Sequence, residues 1–600
     1  MFETLVCILP PAVLIAGLFR PRGGVLLLAL CLPLFGAPPG GPYLGALDAA
    51  ALAAIATSWR AGPHQTTGID RLAFLLVLVS AASLVPFAYH PPSFSPSALL
   101  HLALSLPEAP PWSVLYTLRA LLSLGLGFLL YLAIRRAFGA SVEALGVAVG
   151  TGLGLVLLLG LLEHGGLISL DGYRATGGPL YETRLHSLFF HSGWLSQYVV
   201  LAAPFAVLSL ASGGPYARAF AAGLVVASPV TLLFTQQRGA WIAALAQGVA
   251  LLLCAGRSRM IQVATRAHVR RGLLFLAGTM ACGAAVILLN PETLDPTLAR
   301  LSSSVSDLSG RTHLWRASAE LFLERPVLGW GLGAFAPAYD LLHPRGSTLA
   351  WGYRDDAHNV YINVAVERGA LGLAALLTCG GALALGLWRA SRTDVSRNRA
   401  LGPLLSLVGF AVVGLVQDPF YLKNIQWLSW ILFAAAAPFG AAARFGRRPG
   451  AALLTLTLVV AGWRALAVAP LSGSGNLSVG LHEIEKSEGR TFRWTTGYGA
   501  LRLPWKDKHL VLPLANGHPH PMAHPVQVRI RVDGREVFQG VLRGGWEEIL
   551  LELGKPRDSS LFLELQARPT FRPFTDAAPS IDFRELGIAL GEIRWEPEKD

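Results

Sequence analysis

The amino-acid sequence predicts a polytopic α-helical membrane protein with about 12–14 transmembrane helices, followed by a small all-β domain. Three observations carry this fold class. Of the 600 residues, 53% are hydrophobic and 14% are charged, about half the share of charge that is usual in soluble domains. Apolar runs near the length that crosses a bilayer recur over most of the chain. After residue 470 these runs stop, and short alternating segments take their place.

The predicted membrane domain covers residues 1–470. Its candidate spans are 2–19, 23–36, 43–58, 71–88, 112–134, 141–162, 194–211, 219–235, 239–256, 272–289, 359–388, 400–416, 426–443 and 451–469. The first three are short or interrupted, and Asp48 lies inside the third. Because Met1–Phe19 has no basic segment before its apolar residues, we expect it to be retained rather than cleaved as a signal peptide.

Basic residues determine the predicted orientation of the spans. They fall in clusters at the ends of apolar runs, at Arg20 and Arg22, Arg135 and Arg136, 257–271, 389–399 and 444–448. When the spans are taken to cross the membrane in alternating directions, all these clusters fall on the same side of it. The positive-inside rule makes that side cytoplasmic. The formal charge of +12 therefore reflects topology, and we expect no nucleic-acid partner. The segments predicted to share the opposite, periplasmic face of a bacterial inner membrane are 163–193, 236–238, 290–357, 417–425 and the residues after 470.

Three arginines lie in separate segments of this outer face. They are Arg184, Arg238 and Arg311, the last in the large outer loop at about 290–358. An ionisable residue at a membrane edge is costly unless it is paired or solvated, so each marks a candidate functional site. The alternative for Arg184 and Arg238 is a structural arginine whose side chain extends to the interface. Because all three arginines are predicted to lie on the same face of the membrane, a functional role is favoured.

The most informative stretch runs from Arg311 to Gly372, where polar residues concentrate between two apolar regions. Thr312–Glu324 has helical periodicity and is predicted to lie on the membrane surface. Pro326 ends this helix, and the three glycines within 329–333 allow tight turns or close approach to a ligand. Because no strand precedes these glycines, they are not a dinucleotide-binding fingerprint.

Asp355, Asp356 and His358 come just before the next apolar run. One histidine beside two adjacent carboxylates is weak evidence for a metal site, so we predict neither a metal nor another cofactor. Imidazole is well matched to taking a proton near neutral pH, which makes His358 the candidate general base. If the helix begins near Asp356, then Asp355 or Asp356 is better placed than Glu367 to orient the imidazole. A capping or structural role is the alternative for His358, and it is favoured for His186, His191 and His313.

An ordered set of short patterns runs through this stretch. They are Arg-x-x-x-Trp from Arg311, Pro-x-x-Gly-x-Gly-x-Gly-x-Phe over 326–335, His-Asn from His358 and Glu-x-Gly-x-x-Gly-Leu over 367–373. No single pattern is specific, but the ordered set between membrane helices resembles the outer loop of the O-antigen ligase and polymerase family. The resemblance implies a GT-C-like membrane fold and an inverting, metal-independent glycosyltransferase. The chain departs from the family after Arg184, where residues 185–193 replace a glycine-rich stretch.

The resemblance also implies the substrates. The donor is expected to be a glycan on a polyprenyl diphosphate, such as undecaprenyl diphosphate, and the acceptor a hydroxyl of lipid A core, a glycan or a protein. Guanidinium groups bind phosphate oxygens in bidentate fashion without losing their proton. The arginines predicted to bind the donor diphosphate are Arg184, Arg238 and Arg311. Asp355 and Asp356 complete the predicted substrate-binding set, and the resemblance places the family's essential histidine at His358. Membrane lipids are the remaining expected partner.

Residues 471–600 are predicted to form an extracytoplasmic β-sandwich of about 120 residues. Val526–Val532 alternates apolar and polar residues, and a turn leads from it to Glu536–Phe538, as in a β-hairpin. Further strands are predicted at 548–553, 561–566 and 586–595. The domain resembles jelly-roll modules appended to some bacterial membrane glycosyltransferases. Its tryptophans fit either sugar binding or a hydrophobic core, with the core favoured, and they are Trp494, Trp505 and Trp546.

Two other functional classes are compatible with a multi-span chain. A transporter of lipid-linked sugars usually has ionisable groups near the bilayer midplane, where this sequence is nearly free of charge apart from Arg119 and Arg464. A membrane scaffold that presents the β domain would leave the polar residues around His358 without a role. Within the resembled family, the sequence does not distinguish an O-antigen ligase from a polysaccharide polymerase or a protein O-oligosaccharyltransferase.

Overall fold

A computed structural model gives the structure of the protein. The residues that it describes are 2–35, 43–62, 66–83, 114–139, 141–170, 184–189, 191–255, 309–335, 338–339, 356–393, 396–440, 455, 459, 478–487, 489–518, 520–533, 535–554, 560–571 and 586–597. Asp355 and the predicted spans 272–289 and 451–469 lie outside these segments, apart from the isolated positions 455 and 459.

The described part of the chain up to residue 440 is helical. Its α-helices are α1 (Phe2–Phe19), α2 (Pro21–Cys31), α3 (Tyr43–Ser58), α4 (Gly68–Ser83), α5 (Val114–Phe138), α6 (Glu143–His164), α7 (Ser192–Ala211), α8 (Pro215–Phe234), α9 (Arg238–Ala255), α10 (Ser309–Glu324), α11 (Val360–Ala390), α12 (Arg397–Val413) and α13 (Lys423–Gly440). Each predicted span that falls on described residues is a helix. Helix α10 contains the predicted helix Thr312–Glu324, and its place on the membrane surface stays a prediction.

Several of these helices have the length and composition of membrane spans. Within the described residues, five pass both criteria: Ala120–Phe138, Glu143–His164, Ser192–Ala211, Pro215–Phe234 and Val360–Ala390. Shorter apolar helices accompany them at Ile8–Phe19, Pro21–Phe35, Arg238–Cys254 and Arg399–Val413. Together with the strands after residue 470, these helices confirm a polytopic helical membrane protein with a C-terminal β domain.

Small residues bring the helices of the bundle close together. A Cβ on Gly127 of α5 would overlap the Trp430 ring of α13, and one on Gly386 of α11 would overlap the backbone of Gly440. Trp430 is fully buried. Close approach of this kind is how helices associate in lipid, where the hydrophobic effect does not drive them together.

Arginines from three of the predicted cytoplasmic clusters, those that fall on described residues, lie at one end of the bundle, here called the basic end. The contacts are Arg22 Nε to the Ala137 carbonyl (2.7 Å), the Arg136 guanidinium over the Trp59 ring (3.9 Å) and Arg399 Nε to Glu143 (2.6 Å). Helices α3, α11 and α13 begin at the opposite end, here called the site end. There the Lys423 ammonium contacts both carboxylate oxygens of Asp48, at 2.7 and 2.8 Å, which explains an acidic residue inside a predicted span.

Helix α11 is broken at Gly369, which has φ 67° and ψ −169°. The glycine loop, residues 326–335, packs against this break. Trp330 N donates to the Val366 carbonyl at 2.9 Å, and Ala370 N donates to the Pro326 carbonyl at 2.7 Å. The buried Glu367 carboxylate accepts hydrogen bonds from two backbone amides of the loop, those of Gly333 and Phe335. The loop and the break therefore hold each other in place.

The C-terminal domain is a single antiparallel sheet folded around one core. Its strands are β1 (Ser478–Ser487), β2 (Arg490–Pro504), β3 (His509–Asn516), β4 (Val526–Val532), β5 (Arg535–Leu542), β6 (Gly545–Glu552), β7 (Ser560–Arg568), β8 (Ala589–Gly591) and β9 (Arg594–Glu596). The strand order is β5-β4-β7-β2-β8-β3-β6, with β1 paired to β2 and β9 to β3. The predicted β4–β5 hairpin and β6 and β7 are present, whereas the single strand predicted at 586–595 is two short ones.

The tryptophans of this domain lie in hydrophobic clusters. Trp505 packs against Trp595 with ring centroids 5.5 Å apart, beside the main core. Trp494 and Trp546 pack edge-on against Phe492, each with ring centroids 5.7 Å from it. These contacts agree with the core interpretation of the tryptophans.

Candidate functional site

The candidate site lies at the site end, where α11 begins. Val360 N donates to the carbonyls of Gly414 (2.8 Å) and Gln417 (3.2 Å), which ties this start to the loop between α12 and α13. From α10, Trp315 Nε1 donates to the Ala357 carbonyl at 3.0 Å. Three segments that are far apart in the sequence therefore meet around His358.

Asn359 determines where α11 starts. Its side-chain oxygen accepts hydrogen bonds from Tyr361 N (3.0 Å) and Ile362 N (3.1 Å), as a helix N-cap does. Its amide nitrogen donates to the Leu415 carbonyl at 2.9 Å. In the His-Asn pattern, the asparagine is thus the capping residue, which leaves the histidine just outside the helix.

His358 adopts a left-handed backbone conformation, with φ 49°. This conformation is uncommon for a residue other than glycine, although histidine is among those that adopt it more often. Asp356 stabilises it, because one carboxylate oxygen accepts from both His358 N (2.7 Å) and His358 Nδ1 (3.0 Å). The histidine side chain is 53% exposed and that of Asp356 is 8% exposed. The sequence analysis named Asp355 and Asp356 as candidates to orient the imidazole, and the structure shows Asp356 in contact with it.

Asp356 is held in its ionised form. Burial alone raises the pKa of its carboxyl group, but the hydrogen bonds and positive charge of His358, with a smaller effect of Arg311, outweigh burial and lower the pKa below its usual value. An ionised carboxylate accepts the Nδ1 proton of His358, which places the lone pair of the neutral ring on Nε2. The imidazole is therefore oriented as a base with Nε2 as the accepting atom.

A second buried acid, which the sequence analysis did not single out, lies behind this pair. Asp418 accepts from Asn363 Nδ2 at 2.7 Å and from Phe420 N at 2.8 Å. Asn363 Oδ1 in turn accepts from Ala357 N at 3.4 Å, next to Asp356. Burial, followed by the negative charge of Asp356, raises the pKa of Asp418 to about 6. The available signal was an acidic residue in the short segment 417–425, between two apolar runs on the predicted outer face.

The predicted arginines are distributed around this centre. Arg311, half-buried in α10, is close enough to lower the pKa of Asp356. Arg184 is half-buried in the segment before α7, which is joined to α8 by the hydrogen bond from Leu185 N to the Phe234 carbonyl at 3.0 Å. Arg238 is half-buried at the start of α9. Its neighbour Gln237 donates to Ser192 Oγ at 3.1 Å, at the start of α7.

Comparison with known families agrees with this geometry. Residues 222–377 match a family model described as O-Antigen ligase. Residues 222–377 are therefore similar to the O-antigen ligase family. The match confirms the resemblance found in the sequence and supports a glycosyl-transferring function in the assembly of O-antigen or a related polysaccharide. No curated protein matches the chain.

The O-antigen ligase match contains part of the candidate site. Arg238, Arg311, Asp356 and His358 lie within it, together with the glycine loop. Arg184 and Asp418 lie outside the matched residues, and the structure brings their segments to the same end of the bundle. The segment with Arg184 is also where the sequence departs from the pattern of the family.

His191 connects the Arg184 segment to the centre of the candidate site. Its ring is near Arg184, His186 and His358, and burial together with the positive charge of these three groups lowers the pKa of His191 to about 3. Its Nδ1 accepts from Gly193 N at 3.0 Å, so the neutral ring carries its proton on Nε2. His191 therefore stays uncharged, whereas His358 is paired with a carboxylate.

Metal ligation finds no support among the described residues of the candidate site. Among the residues that the structure describes, no three histidine, cysteine, aspartate or glutamate side chains are placed to hold one ion. Asp356 is used by His358, and Asp418 by Asn363 and Phe420. Metal independence remains a prediction.

Proposed function

We propose that the protein transfers a glycan from a polyprenyl diphosphate-linked donor to an acceptor hydroxyl at the periplasmic face of the bacterial inner membrane. The observation that carries this proposal is the His358–Asp356 pair, with arginines from other segments in electrostatic contact with its surroundings. An oriented base beside fixed positive charge is the arrangement that such a transfer needs.

His358 acts as the general base in this reaction. Its Nε2 takes the proton of the acceptor hydroxyl as the acceptor oxygen attacks the anomeric carbon of the donor. The bond from that carbon to the diphosphate oxygen breaks, and the polyprenyl diphosphate leaves with the electron pair. Attack from the side opposite the leaving group inverts the anomeric carbon. The ionised Asp356 stabilises the imidazolium that forms, as a buried carboxylate does in other base dyads.

The arginines stabilise the leaving group. Negative charge builds on the diphosphate as the glycosidic bond breaks, and guanidinium groups bind such oxygens without changing protonation. Arg311 is the best placed, because its charge already acts on Asp356. Arg184 and Arg238 complete the set from the segments before α7 and at the start of α9. Fixed positive charges on the leaving group let the reaction proceed without a metal ion.

The orientation of the chain is part of the proposal. The basic end faces the cytoplasm, because positive residues are retained on that side. The site end then faces the periplasm. The β domain follows the last membrane segment on the same side, where it is available to an acceptor or to a growing glycan.

Transfer by the purified full-length protein tests this function. The protein is incubated with an undecaprenyl diphosphate-linked glycan and, separately, with lipid A core, a free repeat unit or a serine-containing peptide. We expect one acceptor to gain the glycan, undecaprenyl diphosphate to be released, and the rate to be insensitive to EDTA. The productive acceptor separates ligase, polymerase and protein glycosyltransferase. Translocation of the intact donor across vesicles without cleavage would instead identify a transporter.

A further inference from the structure

Two aromatic side chains from different segments form a wall beside the candidate site. Trp194 lies in the first turn of α7, and Tyr421 lies in the loop before α13. Their ring centroids are 6.3 Å apart with an angle of 36° between the planes, and both side chains are half-buried. The Trp194 ring is also 6.0 Å from the ring of His191. The wall therefore adjoins His191, whose ring is near Arg184 and His358.

Amide side chains border this aromatic wall. Gln197, one turn after Trp194 on the same face of α7, donates Nε2 to Gln417 Oε1 at 3.5 Å. Gln197 is 3% exposed, and its own Oε1 has no hydrogen-bond partner among the described residues. A buried amide oxygen without a partner is costly, so a ligand hydroxyl or a water that it holds would satisfy it.

Gly193 keeps this corner open. A Cβ at this position would lie 2.8 Å from His191 Nδ1 and 3.5 Å from Gln417 Nε2. The same hydrogen bond from Gly193 N to His191 Nδ1 fixes the tautomer of the imidazole, with its proton on Nε2. The corner thus combines two aromatic faces, an N–H donor that does not titrate, and amide groups.

This combination fits a sugar ring better than it fits a phosphate or a lipid chain. A pyranose has an apolar face that packs on an aromatic ring and hydroxyls that need donors and acceptors of fixed direction. A phosphate would be served by the arginines alone, and an acyl chain would leave the polar groups unsatisfied.

We propose that Trp194, Tyr421 and His191 bind the sugar of the donor that is attached directly to the diphosphate. This assignment rests on the proposed function, because it takes Arg184 as a diphosphate ligand. His191 is in electrostatic contact with both Arg184 and His358. The first sugar has its anomeric carbon one bond from the diphosphate and must also lie next to the base. The wall occupies the position that this sugar requires.

Binding of two lipids to the purified full-length protein tests the assignment. The probes are undecaprenyl diphosphate alone and the same lipid carrying one hexose. We expect the wild type to bind the glycosylated lipid more tightly. Trp194→Ala should reduce that preference roughly tenfold while leaving the affinity for the bare lipid unchanged. Trp194→Phe, which keeps an aromatic face, should retain most of the preference.

Trp388→Ala is the matched control. Trp388 is a partly buried tryptophan near the other end of α11, where the Arg392 guanidinium lies 4.6 Å from its ring centroid. We expect this variant to bind both lipids as the wild type does. Equal loss of both lipids in Trp194→Ala, or an unchanged preference, would show that Trp194 only anchors the protein at the interface and would overturn the assignment. Failure of the wild type to bind either lipid would instead overturn the proposed function and this assignment with it.

Discussion

The two ends of the segment 358–369 belong to one run of patterns in the sequence but have opposite surroundings in the structure. His358 and Gly369 both have positive φ, 49° and 67°. The side chain of His358 is 53% exposed and hydrogen-bonded to one carboxylate. Gly369 is buried inside α11, in the first third of the helix, against the backbone of the glycine loop. The same unusual backbone conformation thus presents a reactive group in one place and permits close packing in the other.

This difference distinguishes a residue that is proposed to react, His358, from one that allows the fold to pack closely, Gly369. At His358, the strain of the left-handed conformation is offset by the hydrogen bonds that His358 donates to Asp356 and by the Asn359 cap that follows. At Gly369, only the absence of a Cβ makes the contact with Val327 possible. Substitutions at the first position should therefore change the rate of transfer, and substitutions at the second should change stability.

The largest effect is expected at His358. Loss of a positioned general base typically lowers a rate by about a hundredfold to ten-thousandfold, so His358→Ala should lose detectable transfer. His358→Gln should fail almost as badly, because its amide cannot accept a proton at neutral pH. Donor binding, measured with the radiolabelled lipid-linked glycan, should survive in both. Transfer by the glutamine variant at close to the wild-type rate would make His358 a positioning residue and direct attention to Asp356 as the base.

The second effect concerns the break in α11. Gly369→Ala would force a Cβ into the carbonyl of Val327 at a left-handed position, which should destabilise the fold by about 2–4 kcal/mol. We expect a lower thermal midpoint in detergent and a poor yield. Gly380→Ala, in the same helix with open space around it, is the control and should fold normally. Equal thermal midpoints for the two variants would show that the close packing of the glycine loop against Gly369 does not stabilise the fold.

The third effect is smaller and concerns the arginines. Arg311→Lys keeps the positive charge that acts on Asp356 but loses the planar fork that binds two phosphate oxygens, so transfer should fall roughly tenfold with normal expression. Arg316→Lys provides the comparison, because Arg316 lies in the same helix with its side chain 84% exposed and should tolerate the change. Michaelis constants for the donor separate the two cases. Near-normal kinetics for Arg311→Lys would point to an interfacial arginine instead.

Sequence reasoning located the helices, the β domain and the polar stretch, because apolar length, strand alternation and charge position are local properties. It did not resolve which of several uses the glycines within 329–333 have. A tight turn, close approach to a ligand and close approach to a helix all require the same residue type. The structure shows that Gly329 faces the backbone of Glu367 and Arg368. Only the fold could show which partner comes close.

The same limit explains why the sequence did not predict the roles of Asp418 and Glu367. Asp418 lies 60 residues from His358 along the chain and is near it only because α12 returns to the site end. The expectation that the helix begins near Asp356, with His358 in its first turn, was wrong, because Asn359 caps a helix that starts at Val360 and His358 lies outside it. Glu367 belongs to a pattern that carries the resemblance, yet it is used elsewhere because its carboxylate holds the glycine loop. Helical geometry contained no information about Asp418.

The smallest predicted effect is a dependence of stability on pH that originates at Asp418. Its pKa is about 6 in the folded protein, above the usual value of 3.8, so the folded state binds more protons than the unfolded state between about pH 4 and pH 6. Stability should therefore fall as pH rises through that window and then level off. The lowered pKa of Asp356 has the opposite sign and acts below about pH 4, so the two windows are separate. Asp418→Asn keeps an amide oxygen for the bond from Phe420 N, loses the second oxygen that accepts from Asn363 Nδ2, and removes the titration. Thermal midpoints of this variant should be flat between pH 4.5 and 6.5, whereas those of the wild type and of Gly380→Ala, which both keep Asp418, should decline. A parallel decline in the asparagine variant would mean that another group titrates there and that Asp418 is ionised throughout.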